Sequence, residues 1–252
     1  MTFLQILSAI IGWTYFAVWS ISFYPQIYEN QKLKNVNGLS VDYVGLNITG
    51  YICLCIYSTA GFMDESLNVG TIHIEDLAFA YHGLLCTLII IGQMIIFPLG
   101  DNKLSIQIIA ILILLWTLTP IYFLLTETFD VWNVSVDYNA YRIIGYDKLL
   151  ISFIKYIPQV YWNYKRKKTI GWNIWVSLLD LTGGILSVVQ TVMDQFIQDV
   201  HPEINPVKFS LGLLTIVFDS ILIFQHYYLY PQKKQTLVMD YVSMKDKGID
   251  DI

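Results

Sequence analysis

Seven apolar runs dominate the sequence, and each is long enough to cross a bilayer as an α-helix, for which about 20 residues suffice. They cover residues 4–27, 39–62, 75–98, 104–126, 142–163, 172–194 and 208–230. Charged residues make up only 14% of the chain, against about 25% in a soluble domain. The runs are joined by short connections, so we predict one all-α polytopic membrane domain over residues 1–232, with a polar tail over 233–252. The first run has no basic residues before it, which favours a retained transmembrane helix over a signal peptide.

The basic residues are distributed asymmetrically between the two sides of these seven runs. Eleven of the fifteen Lys and Arg residues follow runs one, three, five and seven, with the densest group at 165–168. The opposite connections are acidic, as at Asp64, Glu127 and Asp194. Because basic loops stay in the cytoplasm, we expect a cytoplasmic C-terminus and an N-terminus on the other side.

Two shorter patterns predict a glycosylation site and a sorting signal, but patterns this short also occur by chance. Asn133 starts an Asn-x-Ser glycosylation pattern on the acidic side, where an unmodified sequon is an equal alternative. Tyr241 and Met244 have the spacing of a tyrosine-based sorting signal in the tail, which would bind sorting adaptors; an inert tail is the alternative. The three cysteines lie inside apolar runs and are interpreted as small buried residues. We find no zinc motif, nucleophile elbow or Gly-x-Gly-Asp pattern, and expect no enzyme activity, cofactor, metal site or nucleic-acid partner.

The chain repeats itself at an offset of 133 residues. The offset aligns Pro25-Gln26 with Pro158-Gln159 without a gap, and ten identities fall within positions 25–50. Average composition would give about two. Runs 1–3 and 5–7 therefore form two three-helix repeats joined by run 4. An offset of four helices makes the repeats parallel, an architecture used by secondary transporters with a central binding site.

Ionisable residues inside the runs are the first functional candidates, because charge at membrane depth is costly. Asp180 aligns with Asn47 of the first repeat, and Lys155 aligns with Ser22, so matched helices carry unmatched chemistry. Lys148 precedes Lys155 by two helical turns and shares its helix face. Structural alternatives remain: Asp180 as a cap or hydrogen-bond partner, and Lys155 in an ion pair. Asp76, near a helix start, is as readily a stabiliser of the helix dipole as a proton carrier, whereas mid-helix Asp219 favours function.

Two histidines complete the ionisable candidates. His82 and His226 are more readily interpreted as hydrogen-bonded interior residues than as proton relays.

Short motifs lie in both halves of the chain. They are residues 22–26, 38–40 and 46–50 in the first half, and 155–159, 179–184, 217–219 and 225–226 in the second. Together these motifs resemble the cystinosin family of PQ-loop transporters. The resemblance implies a seven-helix PQ-loop protein of the lysosomal or vacuolar membrane that exports L-cystine to the cytosol together with protons. Two departures are visible. The long glycosylated N-terminal region of animal members is missing, and an amide that they carry four residues before the helix-6 aspartate is here Val176.

The resemblance also implies roles for individual residues. Proton coupling falls to Asp180, with Asp76 and Asp219 as secondary sites, and the substrate pathway includes Asn47, Lys148, Lys155 and Trp19. Lysine and amide donors suit the carboxylates of cystine, and a carboxylate suits its ammonium groups.

The proline of each Pro-Gln pair (Pro25-Gln26 and Pro158-Gln159) removes a helical hydrogen bond, which suggests a hinge.

Two alternative functions remain open besides cystine export. One is a PQ-loop carrier of another amino acid or a sugar, and the other is a cargo receptor of similar fold that does not transport.

Overall fold

The computed structural model of the protein describes residues 3–67, 72–129, 138–197, 204 and 206–231. These ranges contain seven long α-helices and no β-strand. The helices are α1 Phe3–Leu33, α2 Val41–Met63, α3 Ile74–Ile96, α4 Ile106–Phe123, α5 Ala140–Arg166, α6 Ile174–Asp194 and α7 Pro206–Phe224. Helices α4 and α7 continue as single π-helical turns, Leu124–Thr128 and Gln225–Leu229. The predicted seven-helix all-α architecture is confirmed.

Six of the seven helices are long and apolar enough to cross a membrane, judged over the described part of the chain. The exception is α5, which carries Asp147, Lys148 and Lys155 in its middle. Both lysines are buried inside the protein, at 4% and 7% exposure. A helix that must carry buried cations gives up apolar character, and the surrounding helices shield it from lipid.

The two repeats share local structure as well as sequence. Helices α1 and α5 both end at a lysine in the left-handed conformation, Lys34 (φ 50°) and Lys167 (φ 52°), which are equivalent positions. The next helices both start at a polar N-cap: the Ser40 side chain accepts from the Tyr43 N–H, and the Asn173 side chain accepts from the Trp175 N–H. Each cap satisfies an amide that the first helical turn leaves unpaired.

The two most extensive helix–helix contacts join one repeat to the other. The most extensive contacts join α2 to α5 and α1 to α6, and these are equivalent pairs. Gly38 and Gly171, again equivalent, bring the two connecting loops together so closely that a Cβ on either would overlap the other's backbone. Gly171 has φ +88°, a left-handed backbone conformation that glycine adopts without strain.

We name the two ends of the bundle by their charges. The basic end contains the C-termini of α1 and α5, with Lys32, Lys165 and Arg166. The acidic end contains Asp64, the start of α3 at Glu75 and Asp76, and the end of α6 at Asp194. Asn133, Tyr241, Met244 and the tail from 233 lie outside the described residues, so their predicted roles stay predictions.

Candidate functional site

A polar cavity lies between the repeats and extends from the middle of the bundle toward the acidic end. Its inner part is lined by Trp19, Tyr51, Lys148, Lys155 and Asp180. At its other end lie Ile72, Asp76 and Lys208. Five of the residues singled out from sequence, on helices α1, α3, α5 and α6, therefore line one cavity. The predicted shared face of Lys148 and Lys155 is confirmed, because both side chains reach it.

The two buried lysines have amide and aromatic partners instead of carboxylates. The Lys155 ammonium donates to the Asn47 side-chain oxygen at 2.9 Å and lies 4.9 Å from the centre of the Tyr156 ring. The Lys148 ammonium lies 4.4 Å from the centre of the Tyr51 ring. Neither lysine forms an ion pair among the described residues. The suggested ion pair of Lys155 is therefore not formed, and both positive charges are left for an anionic group in the cavity.

Asp180 lies half-buried at the junction of two cavities. Besides the polar cavity, it lines a smaller one toward the basic end, and Lys155 and Tyr51 line both. The Trp19 indole donates to the Asp180 backbone carbonyl at 3.0 Å, which ties α1 to α6 at this level. A carboxyl that contacts both cavities is placed to exchange protons with either side.

Asp219 on α7 is completely buried, at 0% exposure. Neither of its carboxyl oxygens accepts a hydrogen bond from the described residues. An ionised carboxylate without partners is costly in an apolar interior, so a carboxyl group buried in this way is a candidate for a functional role. This burial supports Asp219 as a candidate proton site, although it does not line the polar cavity.

Asp76 is at the acidic end and is fully engaged. It forms an ion pair with Lys208 at 3.2 Å, accepts a hydrogen bond from the Tyr15 hydroxyl, and accepts from the His73 N–H at 3.0 Å as part of a capping box. These bonds join α1, α3 and α7. The structural alternative weighed for Asp76, stabilisation of a helix start, is thus present in the fold.

A second cluster next to Asp76 fastens α3 to α6. His73 forms an ion pair with Asp194 at 3.5 Å, and Asp194 also accepts from the Ser8 hydroxyl of α1. The hydrogen bond to Asp194 raises the pKa of His73, which precedes the membrane-spanning part of α3. Glu75 is buried here beside Gln190, whose side-chain nitrogen lies 3.4 Å from it.

At the basic end, the two Pro-Gln glutamines close the bundle by bonding across the repeats. Gln26 donates to the Gly171 carbonyl and accepts from the Asn173 N–H, at 2.9 and 3.0 Å. Gln159 makes the equivalent pair of bonds with the first repeat: it donates to the Gly38 carbonyl and accepts from the Ser40 N–H, at 3.2 and 2.8 Å. Pro25 and Pro158 precede them within unbroken helices.

Each of these two glutamines is the first member of a series of side-chain hydrogen bonds, and the series is present in both repeats. Gln26 also donates to Asn30, which donates to Gln93, and Gln159 donates to Asn163, which donates to Gln225. Gln93 and Gln225 end the chains on the equivalent backbone carbonyls of Ile27 and Val160. We call these two series of hydrogen bonds, together with the bonds of Gln26 and Gln159 across the repeats, the glutamine latch. Asn30 and Asn163 are among the ten repeat identities, but the sequence analysis gave them no role, and it noted Gln225 only as part of the family resemblance. It missed Gln93, which is offset from Gln225 by 132 rather than 133 positions.

The remaining candidates have local roles. Val176 is buried at 7% exposure and lines the smaller cavity with Asp180 and Asn47, so an apolar wall stands where an amide was noted in animal members. His82 bonds the Tyr24 hydroxyl at 2.9 Å, and His226 bonds the Thr169 hydroxyl at 3.0 Å. His226 is thus a buried, hydrogen-bonded histidine, whereas His82 is only half-buried, and neither lines the two cavities.

Two duplicated Pro-Gln helices that close one end, and a charged cavity between parallel three-helix repeats, define a PQ-loop membrane protein. The family model described as PQ loop repeat matches residues 7–62 and 140–200, one segment in each repeat.

Comparison with characterised chains narrows this class. The cystinosin homolog of Dictyostelium discoideum is 38% identical over 99% of this chain and 89% of its own length. Cystinosin of Bos taurus is 33% identical over 91% of this chain, which spans 65% of that relative's length. The cystine transporter of Saccharomyces cerevisiae is 31% identical over 93% of this chain and 98% of its own length. The chain belongs to the cystinosin family.

Proposed function

We propose that this protein exports L-cystine from the lumen of the lysosome or vacuole to the cytosol, coupled to protons and by alternating access. The observation that carries the proposal is the pair of buried lysines, Lys148 and Lys155, which face one cavity without a carboxylate partner. The names of the relatives, cystinosin and cystine transporter, point to the same cargo.

The cavity offers each group type that cystine requires. Cystine carries two carboxylates and two ammonium groups, and a site for it needs cationic donors and anionic or carbonyl acceptors. Lys148 and Lys155 supply the cations, and Asp180 supplies the carboxylate in the same cavity. Asn47 holds Lys155 in place through the bond to its side-chain oxygen. A strongly cationic cargo would be repelled by the lysines, and a neutral sugar would need fewer charges.

The position of Asp180 between the two cavities supports proton coupling. A proton enters from the acidic lumen through the polar cavity and binds Asp180, and the loaded carrier changes conformation with this proton bound. The smaller cavity then offers a route to the cytosolic side, where the higher pH favours proton release. Asp219 is the candidate for a second proton site, and Asp76 for a lumenal one.

Alternating access assigns the two ends opposite roles. The positive-inside rule predicts that the basic end faces the cytosol, and the glutamine latch would then close the cytosolic side. Opening toward the cytosol requires the latch bonds of Gln26 and Gln159 to break while the acidic end closes. Pro25 and Pro158, each next to a latch residue, are positioned to let α1 and α5 bend.

The decisive experiment measures uptake of labelled L-cystine and the accompanying proton current with the acidic end facing an acidic medium. We expect cystine-dependent current in the wild type and its loss in Asp180→Asn, which cannot titrate. The matched control is Asp101→Asn, an exposed aspartate in a connection at the basic end. A cystine current that persists unchanged in Asp180→Asn contradicts the coupling role.

Two further outcomes separate the alternatives. Uptake of another amino acid without uptake of cystine would identify a different PQ-loop carrier. Binding of a ligand without any uptake or acidification of the receiving compartment would identify a cargo receptor.

A further inference from the structure

A lateral cleft separates α4 from α2 and α5, and it is distinct from the polar cavity. Its volume is about 420 Å³, within the range of about 300–1,000 Å³ that is usual for small-molecule sites. The walls are largely apolar and include Ile52, Cys53, Leu115, Trp116, Phe123 and Ile144. The cleft is therefore large enough to admit a molecule from its surroundings.

The cleft faces the bilayer, because α4 lies at the edge of the bundle. Within α4 only Ile108 is buried. Two of the cleft's lining side chains, Ile56 and Trp116, remain 42% and 52% exposed. The exposed surface of a membrane-spanning helix contacts lipid, so a membrane lipid is the occupant available to this cleft.

The polar feature of the cleft is the carboxyl group of Asp147. It lies seven residues into α5, about 10 Å along the helix at 1.5 Å per residue. One of its oxygens accepts from the Thr119 hydroxyl at 2.6 Å. Among the described residues the other oxygen has no hydrogen bond and the carboxyl has no ion pair. Lys148 is next in sequence but lines the polar cavity instead.

A second hydrogen-bond acceptor is associated with the same cleft. Pro120 lies inside α4 and has no N–H, so the Trp116 carbonyl lacks its usual helical donor. The Trp116 indole and the Thr49 hydroxyl are already used, since the indole donates to Thr49 at 3.2 Å and Thr49 donates to Gly45. The cleft therefore has two acceptors to spare, and the Tyr141 hydroxyl, which also lines it, donates to neither of them. In hydrocarbon, unsatisfied polar groups of this kind are costly.

We propose that this cleft binds a membrane sterol, whose hydroxyl donates to Asp147. The chemistry requires an apolar body with a hydrogen-bond donor. A phosphatidylcholine is disfavoured because it has no hydrogen-bond donor for Asp147, and no cation that could pair with its phosphate lines the cleft among the described residues. A rigid ring system also loses less conformational freedom on binding than an acyl chain. Sterol binding at this surface would be independent of cystine transport through the central cavity.

The test uses the full-length protein in phosphatidylcholine nanodiscs with three photoreactive probes. These are a sterol with a free hydroxyl, the same sterol as its methyl ether, and a phosphatidylcholine. We expect the free sterol to label peptides of α4 and α5, with competition by unlabelled sterol. The methyl ether should bind roughly tenfold more weakly, the usual value of a hydrogen bond to an acidic group.

A pair of variants on one helix controls for folding. Leu115→Trp fills the cleft and should abolish labelling, whereas Ile113→Trp places the same bulk on an exposed α4 residue that does not line it. Equal labelling by the sterol and its methyl ether in the wild type overturns the proposal, as does undiminished labelling of folded Leu115→Trp. Labelling of the same peptides by the phosphatidylcholine probe without competition by sterol identifies an acyl chain as occupant, and also overturns it.

Discussion

Asp180 and Val176 occupy one face of α6, one turn apart, and both line the smaller cavity toward the basic end. The aspartate is accompanied there by Lys155 and Asn47, whereas Val176 packs with Tyr43 and Trp172 in an apolar cluster. The wall of the smaller cavity is thus polar where α2 and α5 form it and apolar where the first turn of α6 forms it.

Introducing an amide at this wall tests what Val176 contributes to substrate affinity. We expect Val176→Asn to lower the KM for cystine by roughly two- to tenfold, since one neutral hydrogen bond contributes about 0.5–1.5 kcal/mol. The measurement is uptake as a function of cystine concentration. Val176→Ile keeps the wall apolar and should leave KM near the wild-type value. An unchanged KM in a folded Val176→Asn would show that the wall does not contact substrate.

At the scale of elements, the latch and the acidic-end cluster fasten different helices. Gln159 is fully buried and joins the C-terminal part of α5 to the loop before α2. His73 and Asp194 join the start of α3 to the end of α6. The first connection is made of neutral groups, and the second titrates, so the two ends should respond differently to pH.

Removing one latch side chain should destabilise the structure measurably. Gln159→Ala leaves the buried Ser40 N–H without its acceptor, at a cost of about 1–3 kcal/mol. The Gly38 carbonyl loses one of its two donors but keeps the bond from Arg166. We expect the thermal midpoint of the purified protein to fall by several degrees. Gln31→Ala, an exposed glutamine on α1, is the matched control and should change stability by less than about 0.5 kcal/mol. Equal midpoints for the two variants would contradict the latch.

The His73–Asp194 pair predicts a pH dependence of stability. The pKa of His73 is raised in the folded state, so its stabilising contribution is complete below the unfolded pKa and is lost as the pH rises through the folded pKa. His73 is partly exposed, and we expect the effect to stay below about 1 kcal/mol. The difference in thermal midpoint between wild type and His73→Gln should therefore be larger at acidic than at alkaline pH. A difference that is constant with pH would show that the ion pair does not contribute.

For the whole molecule, the helix pairs α2–α5 and α1–α6 join the two repeats, and the charge asymmetry of the two ends predicts an orientation in the membrane. We predict that the N-terminus is lumenal and the C-terminus cytosolic. In intact lysosomes or vacuoles, a C-terminal epitope should be cleaved by added protease, and an N-terminal epitope should be cleaved only after permeabilisation. The reverse pattern would invert the roles assigned to the two ends.

Much of this architecture was accessible from the sequence. Helix number follows from apolar run length, because the bilayer thickness sets the length of a span, and the structure confirms all seven. The 133-residue repeat predicted the pairing of Pro25-Gln26 with Pro158-Gln159, and the shared face of Lys148 and Lys155 followed from helical geometry. Helix ends were predicted less accurately. Helix α1 continues to Leu33, whereas the apolar run ends at residue 27. Hydropathy missed the last turns of this helix because they are polar and lie at the basic end.

The sequence by itself determined that this chain spans a membrane as two parallel repeats and which of its ionisable residues are confined to apolar surroundings. It could do so because span length, charge asymmetry and repeat identity are local or additive properties. Only the tertiary structure decided the partners: Lys155 meets Asn47 instead of a carboxylate, Asp180 lines both cavities, and Gln26 bonds the opposite repeat. It also decided that Asp147 lines a different cleft from Lys148, the next residue in the sequence. These relations depend on how helices distant in the chain approach and rotate, which hydropathy and spacing do not specify.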